Sequence, residues 1–174
     1  KQAMAFDRRG GNSEPIVLLL EEMLEDAKND IYQDQVYYAL AELDLEERGR
    51  DEGIALLKKS LYVNTENIRQ RAKSYLRLGD LYMEDLVYVP AQAYYDSAYV
   101  LMPVEDERYD EVKGLAENLT DLVENLRIIE TQDSLLALCE LSEPELAERI
   151  ADIILAFEEA AERERLAQEA AEAA

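Results

Sequence analysis

Residues 75–103, YLRLGDLYMEDLVYVPAQAYYDSAYVLMP, decide the fold. Tyr75, Leu78 and Tyr82 recur at steps of three and four, so they share one helix face, with Gly79 beside Leu78. Ala91, Tyr95 and Ala98 repeat that spacing on a second helix, opened near Pro90 and stopped by Pro103. Two helices approach to about 8–10 Å only where the facing side chains are small. Gly79, Ala91 and Ala98 permit that approach, and the Tyr and Leu residues fill the volume on either side. The stretch predicts an antiparallel helical hairpin.

Upstream, Tyr37, Leu40, Ala41, Gly53, Leu57 and Ser60 repeat the alternation of large and small residues at the same spacing. The apolar periodicity predicts helices over about Asp34–Arg48, ending near Gly49, and over about Asp51–Val63, Glu66–Met83 and Pro90–Met102. Before them, Ile16, Leu19, Leu20, Met23, Leu24 and Ala27 form a stripe, with Ser13 as N-cap and Pro15 in the first turn. After them, one long helix starts from about Asp106 and another from about Glu143, the latter announced by the capping box Ser142-Glu143-Pro144-Glu145. Six glycines, four prolines and no β-branched alternation leave no room for a sheet. The fold class is all-α.

Composition narrows the function. Of 174 residues, 40 are acidic and 18 basic, a net charge of −22 with no histidine. Nucleic acid and anionic membrane surfaces both need clustered bases, so neither is expected as a partner. No stretch approaches the roughly 20 apolar residues of a membrane-spanning helix. Without histidine there is no Ser/His triad, no paired-His zinc motif and no common general base. Gly10-Gly11 lacks the following Lys-Ser/Thr of a phosphate loop, and Cys139 sits in an apolar run as a small core residue. No enzyme activity, metal or cofactor is expected. The sequence starts at Lys1 without an initiator Met, and reads as a piece of a longer chain.

The hairpin of residues 72–105 resembles the tetratricopeptide repeat, a helix–turn–helix unit of about 34 residues. Tyr75, Leu78, Gly79, Tyr82, Ala91, Tyr95, Ala98 and Pro103 occupy all eight signature positions, and Tyr88 stands where that family often has Tyr. Residues 34–65 look like a diverged second copy, departing at Asp44 and Thr65, and residues 14–30 like half of an earlier one. The resemblance implies a short right-handed solenoid over 14–105, preceded by a flexible segment, 1–13, and closed by capping helices over 106–157.

In that last part Val112, Leu115, Leu119, Leu122, Leu126 and Ile129 form a heptad stripe. It is expected to pair with Leu146, Ile150, Ile153 and Phe157 folding back, and a homodimer through the heptads is the alternative. Residues 158–174, rich in Ala, Glu and Arg, predict a projecting helix or linker.

Longer strings are similar to one group within the repeat class: DQVYYALAEL at 34–43, AQAYYDS at 91–97 and ENLTDLVENL at 117–126. That group is the lipoproteins of type IX secretion and gliding motility of the SprE/PorW type. The resemblance implies a non-catalytic scaffold, lipid-anchored at the periplasmic face of the outer membrane, with other envelope proteins as partners.

Arg69, Arg71, Lys73 and Arg77 form the densest basic cluster of an acidic chain, and Lys73 and Arg77 share a helix face. Arg69, Lys73 and Arg77 are the candidate partner-binding residues. By resemblance, Lys73 and Arg77 face the inner groove, where some relatives hold a peptide carboxylate. The rest of that clamp is missing, since Tyr38, Ala39 and Glu42 stand in the matching places. The expectation is that these bases pair with neighbouring acids such as Glu42 or Asp80.

Overall fold

The structure, a computed structural model, describes residues 13–47, 49–63 and 66–172, with side chains through residue 169. Residues 1–12 of the expected flexible segment, Arg48 and Thr65 lie outside the described residues. Seven α-helices are described: α1 Glu14–Glu25, α2 Gln33–Glu47, α3 Arg50–Val63, α4 Ile68–Glu84, α5 Tyr88–Leu101, α6 Tyr109–Cys139 and α7 Glu143–Glu172, with a 3-10 segment Ala27–Tyr32 ahead of α2. The chain divides into two compact units, 1–124 and 125–174, and α6 begins in the first and ends in the second.

In the first unit, neighbours in sequence are neighbours in space. α2 packs chiefly on α3 and α4 chiefly on α5, with α3 against α4 and α1 against α2. Short connections make each pair antiparallel. The apolar core follows the chain as three clusters. Val17, Leu20, Val36 and Leu40 join α1 to α2; Ala41, Leu57, Leu61, Leu78 and Leu81 join α2, α3 and α4. Ala72, Ala91, Tyr95, Ala98, Met102, Val112, Ala116 and Leu119 join α4, α5 and α6.

Small residues set the spacing within each hairpin. A Cβ on Gly79 would lie 2.9 Å from Tyr95 Cδ1, and one on Gly53 would lie 3.2 Å from the carbonyl oxygen of Ala41 and inside van der Waals contact with Leu45. Both glycines, with Ala41, Ala91 and Ala98, are buried. The turns have their own logic. Gly49 takes φ +149 and its amide donates to Asp44 O at 2.9 Å, closing α2. The α4–α5 turn uses Leu86 at φ +59 where glycine is usual. The Val87 amide then donates to Tyr82 O at 2.9 Å, a Schellman-type closure. Met102 is extended, as the residue before Pro103 must be, and α5 stops.

Several boundaries differ from the periodicity. α4 starts at Ile68 because the Asn67 side chain accepts the Gln70 amide at 3.2 Å. α6 starts at Tyr109, three residues late, because Asp106 Oδ1 accepts the Arg108 amide at 3.0 Å and holds a turn. α1 ends at Glu25, leaving Ala27 in the 3-10 segment. Its buried residues are Val17 and Leu20, whereas Leu19 is exposed, since α2 covers only one narrow stripe. Ser13 takes the N-cap place without a side-chain cap, its hydroxyl donating instead to Glu47 Oε2. At α7, Glu145 Oε2 accepts the Ser142 amide at 2.9 Å, which is the returning half of the expected capping box. The Ser142 hydroxyl donates to the same carboxylate, and this holds the Glu145 carboxyl below the usual range.

In the second unit the apolar stripes are barely covered. Leu126, Leu138 and Leu146 are half-buried, but Ile129, Ile150, Ile153 and Phe157 are exposed. Cys139 is exposed too, against the expectation of a core position, and Leu135 and Leu136 of the same apolar run are exposed with it.

Candidate functional site

The cations singled out in α4 do not act as one group. Arg77 reaches across to α2, its Nε donating to Glu42 Oε1 at 2.9 Å, with Glu84 further off at 4.0 Å. Tyr38 packs beside that pair, and burial followed by the Glu42 charge pushes its phenol up to about 12. Asp80, the other acid named as a partner, is taken by Arg108, just ahead of α6. Arg108 grips both its oxygens at 2.8 and 3.0 Å, and Tyr95 Oη donates to it at 2.9 Å. Arg108 also donates to Glu111, and hydrogen bonds to Asp80 and then Glu111 hold its guanidinium more firmly protonated than usual. Burial, then Asp80, raises the Tyr95 phenol. Arg50 forms a further crossing, to Asp85 at 2.7 Å, to Glu84 at 3.1 Å and to the Leu81 carbonyl. Single exposed pairs of this kind contribute ~0–1 kcal/mol, and the two-pronged Arg108–Asp80 grip adds geometric specificity.

Arg69 and Lys73 are exposed and come together on the rim of a groove of about 550 Å³. Leu76, Met102 and Pro103 supply its apolar lining, and Glu105 and Asp106 bring acid to the same place. The structure thus brings two of the three candidates together and holds the third, Arg77, in an ion pair. The groove can hold a peptide segment with an apolar side chain and mixed charge. It is not a bare cationic pocket.

Two features escaped the sequence. A cleft of about 480 Å³ lies among α3, α4 and α5, lined by Lys58, Leu61, Tyr62, Arg71, Tyr75 and Tyr94. Tyr94 stacks on Tyr82 with ring centroids 5.4 Å apart, and Lys58 sits 5.9 Å above the Tyr82 ring. A hydrogen bond with Tyr82 raises the Lys58 ammonium, and burial raises the Tyr94 phenol. Tyr75 and Tyr82 were legible as core fillers; nothing in the spacing shows that Tyr62 and Tyr94 join them from other helices.

The second feature is a buried polar chain. Ser60 Oγ donates to Asp34 O at 2.7 Å and lies 2.9 Å from Ser74 Oγ, which accepts from Gln70 Nε2 at 3.3 Å. A position read only as small is therefore also the hydrogen-bonding tie between α2, α3 and α4.

Among the described residues no group of three or more Cys, Asp or Glu side chains could hold a metal ion. No described helix is long and apolar enough to cross a membrane. No protein-family model matches the chain, and no curated protein matches it.

Proposed function

We propose that this chain is a non-catalytic protein–protein interaction scaffold of tetratricopeptide type. In this reading the hairpins α2–α3 and α4–α5 are successive repeats of a short solenoid, and α1 is the remnant of an earlier one. One observation carries it: both hairpins bury small residues at equivalent places, Ala41 and Gly53 in the first, Gly79 and Ala91 in the second. A solenoid presents extended surfaces built from equivalent positions of successive repeats, which suits holding a protein segment rather than enclosing a small substrate.

The similarity of residues 34–43, 91–97 and 117–126 to the SprE/PorW type extends the proposal to type IX secretion or gliding motility. There the full-length protein is lipid-anchored and faces the periplasm, and its partners are other envelope components. The groove of Arg69 and Lys73 supports a narrower reading in parallel, a generic peptide-binding module.

The test is crosslinking and affinity purification of the full-length protein from its native envelope. Secretion-machinery components should be enriched, and a preparation that retains none of them overturns the secretion role. Replacing Arg69→Ala with Lys73→Ala in a chain that keeps its helix content should weaken capture. Unchanged capture removes these residues as contacts.

A further inference from the structure

The tyrosine cleft among α3, α4 and α5 lies on a different face of α4 from the groove of Arg69 and Lys73. At 100° per residue, Arg71 and Tyr75 project roughly opposite to Arg69, Lys73 and Leu76. The cleft, about 480 Å³, is within the size range of ligand sites. Its walls are aromatic. Tyr94 stacks on Tyr82 and lies 6.3 Å from Tyr75 between ring centroids, and Tyr62 on the third helix of the group is 82% exposed.

The charge here is the reverse of the chain's. Residues 53–79 hold six bases, Lys58, Lys59, Arg69, Arg71, Lys73 and Arg77, against one acid, Glu66, although the whole chain carries −22. Two of those bases line the cleft. The Lys58 ammonium is raised first by its hydrogen bond with Tyr82, then by Tyr94 and Tyr62, and no carboxylate enters that set. The Arg71 guanidinium lies 5.9 Å from the centre of the Tyr75 ring. No Asp or Glu stands one turn along α3, α4 or α5 from any lining residue. Glu66 is exposed in the α3–α4 connection, and Asp96, the one acid of α5, accepts from Gln92, whose amide also reaches Thr120 on α6. Charges beyond about 8–10 Å are screened at physiological salt, so Lys58 and Arg71 set the field in the cleft despite the acid surplus elsewhere.

Tyrosine walls take a flat ring by offset stacking or edge contact, and the two cations beside them take carboxylates through charge-assisted hydrogen bonds. A long polyanion would run out of this basic patch onto acidic surface, so the anion must be short. An aromatic side chain set between acidic residues supplies both features. We propose that the cleft among α3, α4 and α5 binds a short acidic segment of a partner protein through an aromatic side chain of that segment.

The experiment uses the full chain and three labelled peptides. The first has one Phe between Asp residues, the second has Ser in place of Phe, and the third has Lys in place of Asp. Fluorescence anisotropy should show the first binding at least about tenfold more tightly than either other, with affinity falling as salt is raised.

Tyr62→Ser, at a side chain that already faces water, should weaken the Phe peptide and leave the Ser peptide unchanged. Lys58→Glu with Arg71→Glu should reverse the preference between the Asp and Lys peptides, a readout that misfolding would not produce. Equal binding of the Ser peptide reduces the effect to net charge and overturns the proposal. So does an unreversed preference in the Glu variant. If Arg69→Ala with Lys73→Ala abolishes binding instead, the peptide occupies the opposite groove and the tyrosine cleft is not its site. Full displacement of the peptide by an equal concentration of phenylacetate makes a small aromatic acid the occupant and overturns the protein partner.

Discussion

Replacing Gly79 with alanine tests the hairpin at its tightest point. The added Cβ would lie 2.9, 3.0 and 3.2 Å from Cδ1, Cε1 and Cγ of Tyr95. Carbon atoms rest at about 3.5–4.0 Å, so the ring or the helix must retreat by at least about half an ångström. The ring has nowhere to go. Tyr95 is 2% exposed, its hydroxyl donates to Asp80, and Asp80 is held on both oxygens by Arg108. Overpacking of this kind costs about 1–3 kcal/mol, against a gain of ~1 kcal/mol from replacing glycine inside a helix.

Gly79→Ala should therefore be destabilising by ~0–2 kcal/mol. Gly114→Ala on α6, where a Cβ meets nothing within 4 Å, should be stabilising by ~0.5–1 kcal/mol. Thermal melts followed by far-UV circular dichroism would separate the two, at ~2–4 °C per kcal/mol for a chain of this size. Tyr95→Leu should relieve the clash, so that adding Gly79→Ala to it costs less than in the parent chain. Gly79→Leu should be worse than alanine in every background. Equal stabilisation by Gly79→Ala and Gly114→Ala would refute the close approach of α4 and α5.

Two further predictions concern the turn and the buried phenol. Leu86 holds φ +59 and its side chain is exposed, so Leu86→Gly should relieve ~1–2 kcal/mol of strain, partly offset by the greater freedom of glycine in the unfolded chain. A melting temperature that falls would show that the turn does not need the left-handed conformation. Tyr38 has its folded-state pKa raised from 10.0 to about 12, so between those values the unfolded chain loses its proton first and stability falls as pH rises. Tyr38→Phe should flatten that part of the alkaline unfolding profile in a denaturant titration, and an unchanged slope from pH 10 to 12 would count against the burial of the phenol beside Glu42.

The hairpin was legible in the sequence because its determinants are local and steric. A helix face is set by spacing, and only small residues let two backbones come close, so Gly79, Ala91 and Ala98 announce the contact wherever the rest of the chain goes. Ser142 and Glu145 marked the start of α7 in the same local way, three residues apart. Tertiary structure decided what depends on partners distant in sequence. Glu42 and Asp80 were both open as acids for the bases of α4; packing gives Glu42 on α2 to Arg77, while Asp80 belongs to Arg108, 28 residues further on. Val17 is buried and Leu19 exposed although both are apolar, because α2 and the 3-10 segment cover only part of α1. Tyr62 and Tyr94 form a cleft with Tyr75 only where α3, α4 and α5 meet, and the Ser60 hydroxyl finds Asp34 and Ser74 only inside the packed core. Periodicity states which side chains share a face of their own helix; which of those faces are covered, and by which charges, follows from three-dimensional packing over separations that spacing along the chain does not encode.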